Sequence, residues 1–225
     1  MWSKWIAVLA VIGIVYAAAV ALRQHDLKFV VGYSSVSHMG FVLLGLATAN
    51  AIGVSGAVLQ MFSHGVIAAL LFAVAGRMIY RRTHTRELDA LSEMNLSHAL
   101  PFAAFTFVVA SAASMGIPGF SGFAAEITIL IGAWKTYPVA VWITGAGMVL
   151  VAAFTLRALV KSFFGDVRVH TSRVPTDADW KEQSITFAEK CGACLLMFAT
   201  LAIGLYPKFL LDRIQPAIEA MRFLK

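Results

Sequence analysis

The stretch Ala99–Trp134, ALPFAAFTFVVASAASMGIPGFSGFAAEITILIGAW, decides how this chain folds. As one straight helix its roughly 36 residues would reach about 54 Å at 1.5 Å per residue, well past a hydrocarbon core of about 30 Å. Gly116-Ile117-Pro118-Gly119 stands in its middle. Glycine and proline interrupt a helical pattern, so the segment is either two helices or one crossing broken near Pro118. Glu126 follows the break, inside an apolar run with no cation adjacent in sequence. A carboxylate at membrane depth is expensive unless protonated, paired or wet, and so marks a functional site. Backbone groups freed by a break at that depth must be satisfied by protein or by a water-filled cavity.

The rest of the chain agrees with a membrane reading. Of its 225 residues 60% are hydrophobic and 13% charged, with a mean hydropathy of +0.79. A soluble domain would carry about 25% charged residues. The net charge of +6 comes from basic residues in short connections between apolar runs, the positive-inside pattern. No basic-aromatic module of the recognised kinds is present, which argues against a nucleic-acid partner. The opening run after Met1-Trp2-Ser3-Lys4-Trp5 has no clean small-residue cleavage site and leads at once into a second span, predicting a retained helix. Cys191-Gly-Ala-Cys194 has dithiol spacing but opens an apolar helix, where a redox motif needs a βαβ context. These cysteines are expected to be small packing residues, and no further cysteine completes a metal or iron–sulfur set.

Apolar runs of about 20 residues predict spans from about Ile6 to Leu22, Phe29 to Ala49, Val54 to Tyr80, Pro138 to Phe164 and Thr186 to Tyr206. Charge settles the ambiguous stretch. The Arg81–Arg86 connection is basic, as is Lys161 to Arg173, whereas Lys135-Thr-Tyr-Pro138 is nearly uncharged. With both basic loops on the cytoplasmic side, an even number of crossings separates them. Pro138 to Phe164 supplies one, so Ala99 to Trp134 supplies the other as a single discontinuous helix. The expected fold is all-α, a polytopic bundle of about six crossings with one discontinuous. Residues 1–206 form the membrane module and 207–225 an amphipathic tail carrying Lys208, Arg213, Arg222 and Lys225. That tail reads as an interfacial helix docked on a neighbour.

Several polar residues share helix faces within these spans. Ser34 and His38 are four apart, with Ser37 beside His38 and Tyr33 facing Ser37; Gln60 and His64 are also four apart, with Ser63 adjacent. Such faces hold water and hydrogen-bond across helices, and imidazole exchanges protons near neutral pH. With Glu126 they suggest a path for protons or cations through the bilayer. Each histidine alone also fits a simple bridge between helices. Lys28 and Arg77 at helix ends read most simply as snorkelling side chains, Arg81–Arg86 as a solvated loop, and Gly116, Gly119 and Gly122 as residues of the break and of close packing.

Four motifs in this order carry a resemblance: Asp26-Leu-Lys28-Phe-Val-Val-Gly-Tyr33-Ser-Ser-Val-Ser-His38-Met-Gly-Phe41, Gly56-Ala-Val-Leu-Gln60-Met-Phe-Ser-His64-Gly, Arg82-Thr-His-Thr-Arg86-Glu-Leu-Asp89, and Gly116-Ile-Pro-Gly-Phe-Ser-Gly-Phe-Ala-Ala-Glu126. Together they resemble the antiporter-like membrane subunits of respiratory complex I, the proton-translocating NADH–quinone oxidoreductase. The glutamate on the broken helix most resembles the chain M (chain 4) branch, because sister chains usually place a lysine there. The resemblance implies a proton-pumping membrane subunit coupled to quinone reduction elsewhere. It assigns Glu126 to the acid of the family's second broken helix, His38 and His64 to the central polar axis, and Lys28 to the lysine opening the signature helix. Ser34, Ser37, Gln60 and Ser63 would support that path, and Gly116, Pro118 and Gly119 would form the helix break.

Family members are built from two inverted five-helix repeats, and the spans here resemble the second repeat plus a terminal helix. The first repeat's glutamate and lysines have no counterpart in this sequence. Three origins stay open: an internal methionine of a longer frame, a split gene, or a remnant. The resemblance places the NADH, flavin, iron–sulfur clusters and quinone in partner subunits, with no cofactor expected in this chain. Expected partners are the other membrane subunits, including sister antiporter-like chains, a separate chain supplying the first half, and the lipid of a bacterial cytoplasmic membrane. Rival readings are a cation/proton antiporter or membrane-bound hydrogenase subunit, a scaffold or assembly piece with inert polar sites, and a solute transporter using the break as its substrate site.

Overall fold

Helix starts are set by local chemistry. Asp26 caps the second helix by accepting from the backbone N–H of Lys28 at 2.7 Å and of Phe29 at 3.4 Å; Asn50 caps the third by accepting from Gly53 N–H at 2.8 Å. Such caps satisfy amides that a helix start leaves open. Pro101 and Pro138 open their helices at the first position, where proline loses nothing. Thr186 and Glu189 form a reciprocal capping box.

The structure, a computed structural model, describes residues 2–94, 96–165 and 184–221. In chain order the helices are α1 (Trp2–Arg23), α2 (Leu27–Ala47), α3 (Ala51–Phe72), a π-helical segment Ala73–Tyr80, α4 (Arg81–Thr83), α5 (Leu88–Ser92), α6 (Leu96–Ala99), α7 (Pro101–Ser114), α8 (Ser121–Trp134), α9 (Pro138–Phe163), α10 (Phe187–Leu205) and α11 (Lys208–Glu219). Every element among the described residues is helical. Five helical stretches are long and apolar enough to cross a membrane: α1, α2, the run Ala51–Thr83, α9 and α10. α7 and α8, at 14 residues each, are too short to cross alone.

The pairing of α7 and α8 with α3 decides their relation. Going along α3, Gly53 lies against Gly132, Gly56 against Ile129, Ser63 against Ser121, and Ile67 against Gly122. α8 therefore runs antiparallel to α3, and α7 prolongs that direction against the π-helical segment. This is one broken crossing, giving six in all, as the charge pattern requires. Close approach depends on glycine: a Cβ on Gly56 would stand 2.7 Å from the backbone N of Ile129, and one on Gly45 2.6 Å from the carbonyl of Gly53. Small residues at such interfaces let backbones meet where water exclusion offers no drive. On α1, Ile14 fills the space that Cβ atoms on Gly40 and Gly147 would need, each within 2.6 Å of its side chain.

Charges separate the two ends. Arg23, Lys28, Arg81, Arg86, Arg157 and Lys161 lie at the end taken as cytoplasmic, whereas Trp2, Trp5, Trp134 and Trp142 lie at the other, as interfacial aromatics do. At the basic end the α1–α2 turn is stitched to the segment before α5 by Leu27 N–H to Arg86 O (2.9 Å) and Leu88 N–H to His25 O (2.8 Å).

Four expectations change. Arg82, taken as part of a solvated loop, is 7% exposed; it donates to the carbonyls of Arg77, Met78 and Ser184 and pairs with Glu189 at 2.9 Å. Arg77, taken as snorkelling, pairs with the same carboxylate at 3.2 Å. Cys191 and Cys194 are exposed on α10 rather than packed inside. The tail helix α11 packs Leu210 and Leu211 on its own bundle, against Leu59, Ala124, Ala125 and Ile203, which buries apolar surface on both sides. Most of the basic connection after Lys161, with Arg222 and Lys225, lies outside the described residues.

Candidate functional site

The break brings the site together. Helical side chains lean toward the helix N-terminus, so Glu126 on α8 reaches back into the gap, where a Cβ on Gly116 would stand 2.7 Å from its Oε2. Gly116 also has φ +70°, a left-handed backbone that favours glycine. Both constraints fall on one residue. Pro118 and Gly119 complete the turn, Gly119 at φ +102°.

His38 on α2 spans the gap. Its Nδ1 lies 3.3 Å from Glu126 Oε1, close enough for an ion pair but without hydrogen-bond alignment. Its Nε2 lies 3.1 Å from Ser114 Oγ, the last residue of α7. One imidazole thus touches both halves of the broken helix. Glu126 and His38 are 2% and 4% exposed. At 3.3 Å and an effective dielectric near 20, opposite charges would attract by roughly 5 kcal/mol, offset by the desolvation that burial imposes on both.

His64 on α3 extends the site, its ring centred 5.3 Å from that of His38 and tilted by 37°. Gln60 lies one turn away with its Oε1 buried and unpaired among the described residues. Ser63, next to His64, bonds Ser121 at 2.8 Å, and Ser121 bonds Thr200 on α10 at 2.9 Å, pinning the start of α8.

The structure brings together Glu126, His38 and His64. It does not bring Lys28 to them: that residue lies ten positions before His38, about 15 Å along the helix, beside a hollow lined by Phe72, Tyr80 and Arg86. Ser34 and Ser37 lie near the site but spend their hydroxyls elsewhere, on Val31 O at 2.8 Å and Ile14 O at 3.0 Å. Sequence reasoning missed Ser114. A hydroxyl two residues before a predicted break was a usable signal, but its partner lies 76 positions away.

Comparison with known proteins bears on this geometry. The family model described as NADH:quinone oxidoreductase/Mrp antiporter, TM, matches residues 1–153. The chain belongs to that family. Among this family's curated members, NAD(P)H-quinone oxidoreductase chain 4 1 of Synechococcus elongatus is 41% identical over 209 residues, covering 90% of this chain and 37% of the relative. NADH-quinone oxidoreductase subunit M of Rhodobacter capsulatus is 36% identical over 216 residues, covering 96% of this chain and 40% of the relative. Among solved structures, a chain of respiratory complex I from Thermus thermophilus with bound NADH superposes with a TM-score of 0.87 at 29% identity, covering all of this chain and 45% of that one. The chain spans about two fifths of the length of the curated family members it matches.

Proposed function

We propose that this chain is part of a membrane subunit of a proton-translocating NADH–quinone oxidoreductase and contributes one proton half-channel. The observation that carries this reading is the buried contact of His38 with Glu126 across a broken helix, with the His64 ring alongside. An imidazole with polar neighbours on both nitrogens takes up a proton on one and releases it from the other. His38 meets Glu126 through Nδ1 and Ser114 through Nε2, so a proton on the carboxylate can pass through the ring. His64, adjacent and less buried, is the next acceptor along the path.

Moving one charge against 100 mV requires about 2.3 kcal/mol. Energy for that step would come from partner subunits holding the NADH, flavin, iron–sulfur and quinone chemistry, this chain serving as a non-redox part of the translocase. The remaining length of the subunit, in the same or another polypeptide, would supply the groups that exchange protons with Glu126. The family also includes Mrp antiporters, but relatives at 41% and 36% identity carry quinone-oxidoreductase names, which favours the first reading.

The test is Glu126→Gln in the assembled complex. Proton pumping should fall to background while subunit levels and assembly stay normal. Pumping at the wild-type rate with normal assembly would remove Glu126 from the path.

A further inference from the structure

Lys28 and Arg86 carry charges that the site at the broken helix leaves unused. Lys28 is the second residue of α2, directly after its Asp26 cap, and a cation in a first turn opposes the helix dipole. Its ammonium has no ion pair among the described residues. The nearest acid in sequence, Asp26, is already spent. One of its oxygens accepts from the Lys28 and Phe29 amides, and the other meets Arg86 Nε at 3.3 Å. Arg86 also lies over the Tyr80 ring, 5.2 Å from its centroid, with 36% of its side chain exposed. Two cations thus face one carboxylate.

Between them opens a hollow of about 190 Å³, lined by Lys28, Arg86, Tyr80, Gly76, Ala75 and Phe72. Its polarity is graded. Lys28, Arg86 and Tyr80 stand at the basic rim, whereas Gly76 and Phe72 come four and eight residues before Tyr80, about one to two turns deeper in the apolar layer. The floor belongs to the π-helical segment, a rare geometry that recurs at functional sites. Gly76 leaves that floor open, because a Cβ there would meet nothing within 4 Å. Below Gly76, the exposed residues Phe72, Ala69 and Gly65 follow at steps of four, three and four, the spacing of one helix face. This apolar strip, kept low by Ala69 and Gly65, leads from the hollow toward the membrane centre.

We propose that this hollow is a binding site for an anionic phospholipid of the basic-side leaflet. Lys28 and Arg86 hold its phosphate, and one acyl chain lies along Phe72, Ala69 and Gly65. Charge complementarity decides the head: phosphate oxygens accept from the ammonium and the guanidinium together, and Asp26 keeps its cap. Polarity decides the tail. A free phosphate, or an acidic side chain of a partner subunit, would use the rim and leave the apolar strip bare. Anionic lipids enrich the cytoplasmic leaflet, and basic pockets between transmembrane helices at that face take their head groups. The proposal stands apart from the half-channel reading and gives Lys28 a role away from the His38–Glu126 pair.

The experiment uses the assembled complex in phosphatidylcholine vesicles doped with phosphatidylglycerol that carries a diazirine on its acyl chain. After illumination, labelled peptides are mapped by mass spectrometry. The peptide spanning Gly65 to Tyr80 should take at least about fivefold more label from this lipid than from phosphatidylcholine bearing the same chain. Lys28→Gln should lower the anionic label about fivefold, the worth of one cation near a membrane surface, and Lys28→Arg should keep it. Gly76→Leu fills the hollow without meeting protein and should abolish the preference. Equal labelling of the wild-type complex by the two lipids overturns the proposal, whether or not the variants assemble. Loss of the label on adding inorganic phosphate would reveal a site for the free ion and overturn the lipid assignment. A carbodiimide cross-link from Lys28 to a partner subunit, with no lipid label, would do the same in favour of a protein contact.

Discussion

The two ends of this bundle are held by different forces. Away from the basic end, α2, α3 and α8 meet through Gly45, Gly53, Gly56 and Gly132, with backbone against backbone and no room for a Cβ. At the basic end, Arg82 and Arg77 meet Glu189, Arg86 meets Asp26 at 3.3 Å, and Arg157 donates to the carbonyls of Leu22 and Gln24. One half is closed by backbone packing, whereas the other adds ion pairs to an apolar core that includes Leu70, Met78, Leu88 and Phe163. The site lies where they meet, so its geometry depends on both, while salt and pH can act only on the second.

The sharpest way to break the packed half is Gly56→Val, whose side chain would drive into the backbone at Ile129. Overpacking against backbone should cost about 3 kcal/mol or more and appear as lost subunit in membranes, independent of salt. Breaking the charged half with Glu189→Gln should cost less, about 2–3 kcal/mol. The buried Arg82 loses its anion but keeps the carbonyls of Arg77, Met78 and Ser184. Thermal unfolding of the purified complex at matched ionic strength would rank the two. A result with Glu189→Gln the more damaging would reverse the comparison.

Gly116→Ala probes the junction. Its left-handed backbone should cost about 1–2 kcal/mol, with a methyl pressed on the Glu126 carboxylate, so pumping should fall more than assembly does. The smallest effect belongs to the exposed Asp89. The hydrogen bond from Lys161, then that with His25, holds its carboxyl below the ordinary 3.8. A lowered folded value makes the unfolded chain bind the proton first. The contribution is therefore complete above the ordinary value and drains away as pH falls through the lower folded one. Asp89→Asn should flatten that part of an acid-unfolding profile, and high salt should mask the difference.

Much of this was legible in the sequence because membranes impose one-dimensional rules. Apolar run length and the placement of basic residues were enough to give six crossings, the break at Gly116–Gly119 and the burial of Glu126. His38 and His64 could be nominated from helix spacing, though only the fold brings their rings within 5.3 Å. The π-helical stretch Ala73–Tyr80 was not legible, since a change of backbone register leaves no mark in an apolar sequence. Arg82 was misread for a related reason. Its partners, Glu189 and Ser184, lie about a hundred positions on, and charge alone does not say which member of a basic loop turns inward. Ser114 escaped in the same way.

The imidazole of His38 has a consequence as a strain gauge. With one nitrogen on the terminal hydroxyl of α7 and the other beside the carboxylate of α8, it cannot keep both contacts if the two half-helices move apart. Any displacement of one half-helix against the other is thereby felt at a single side chain.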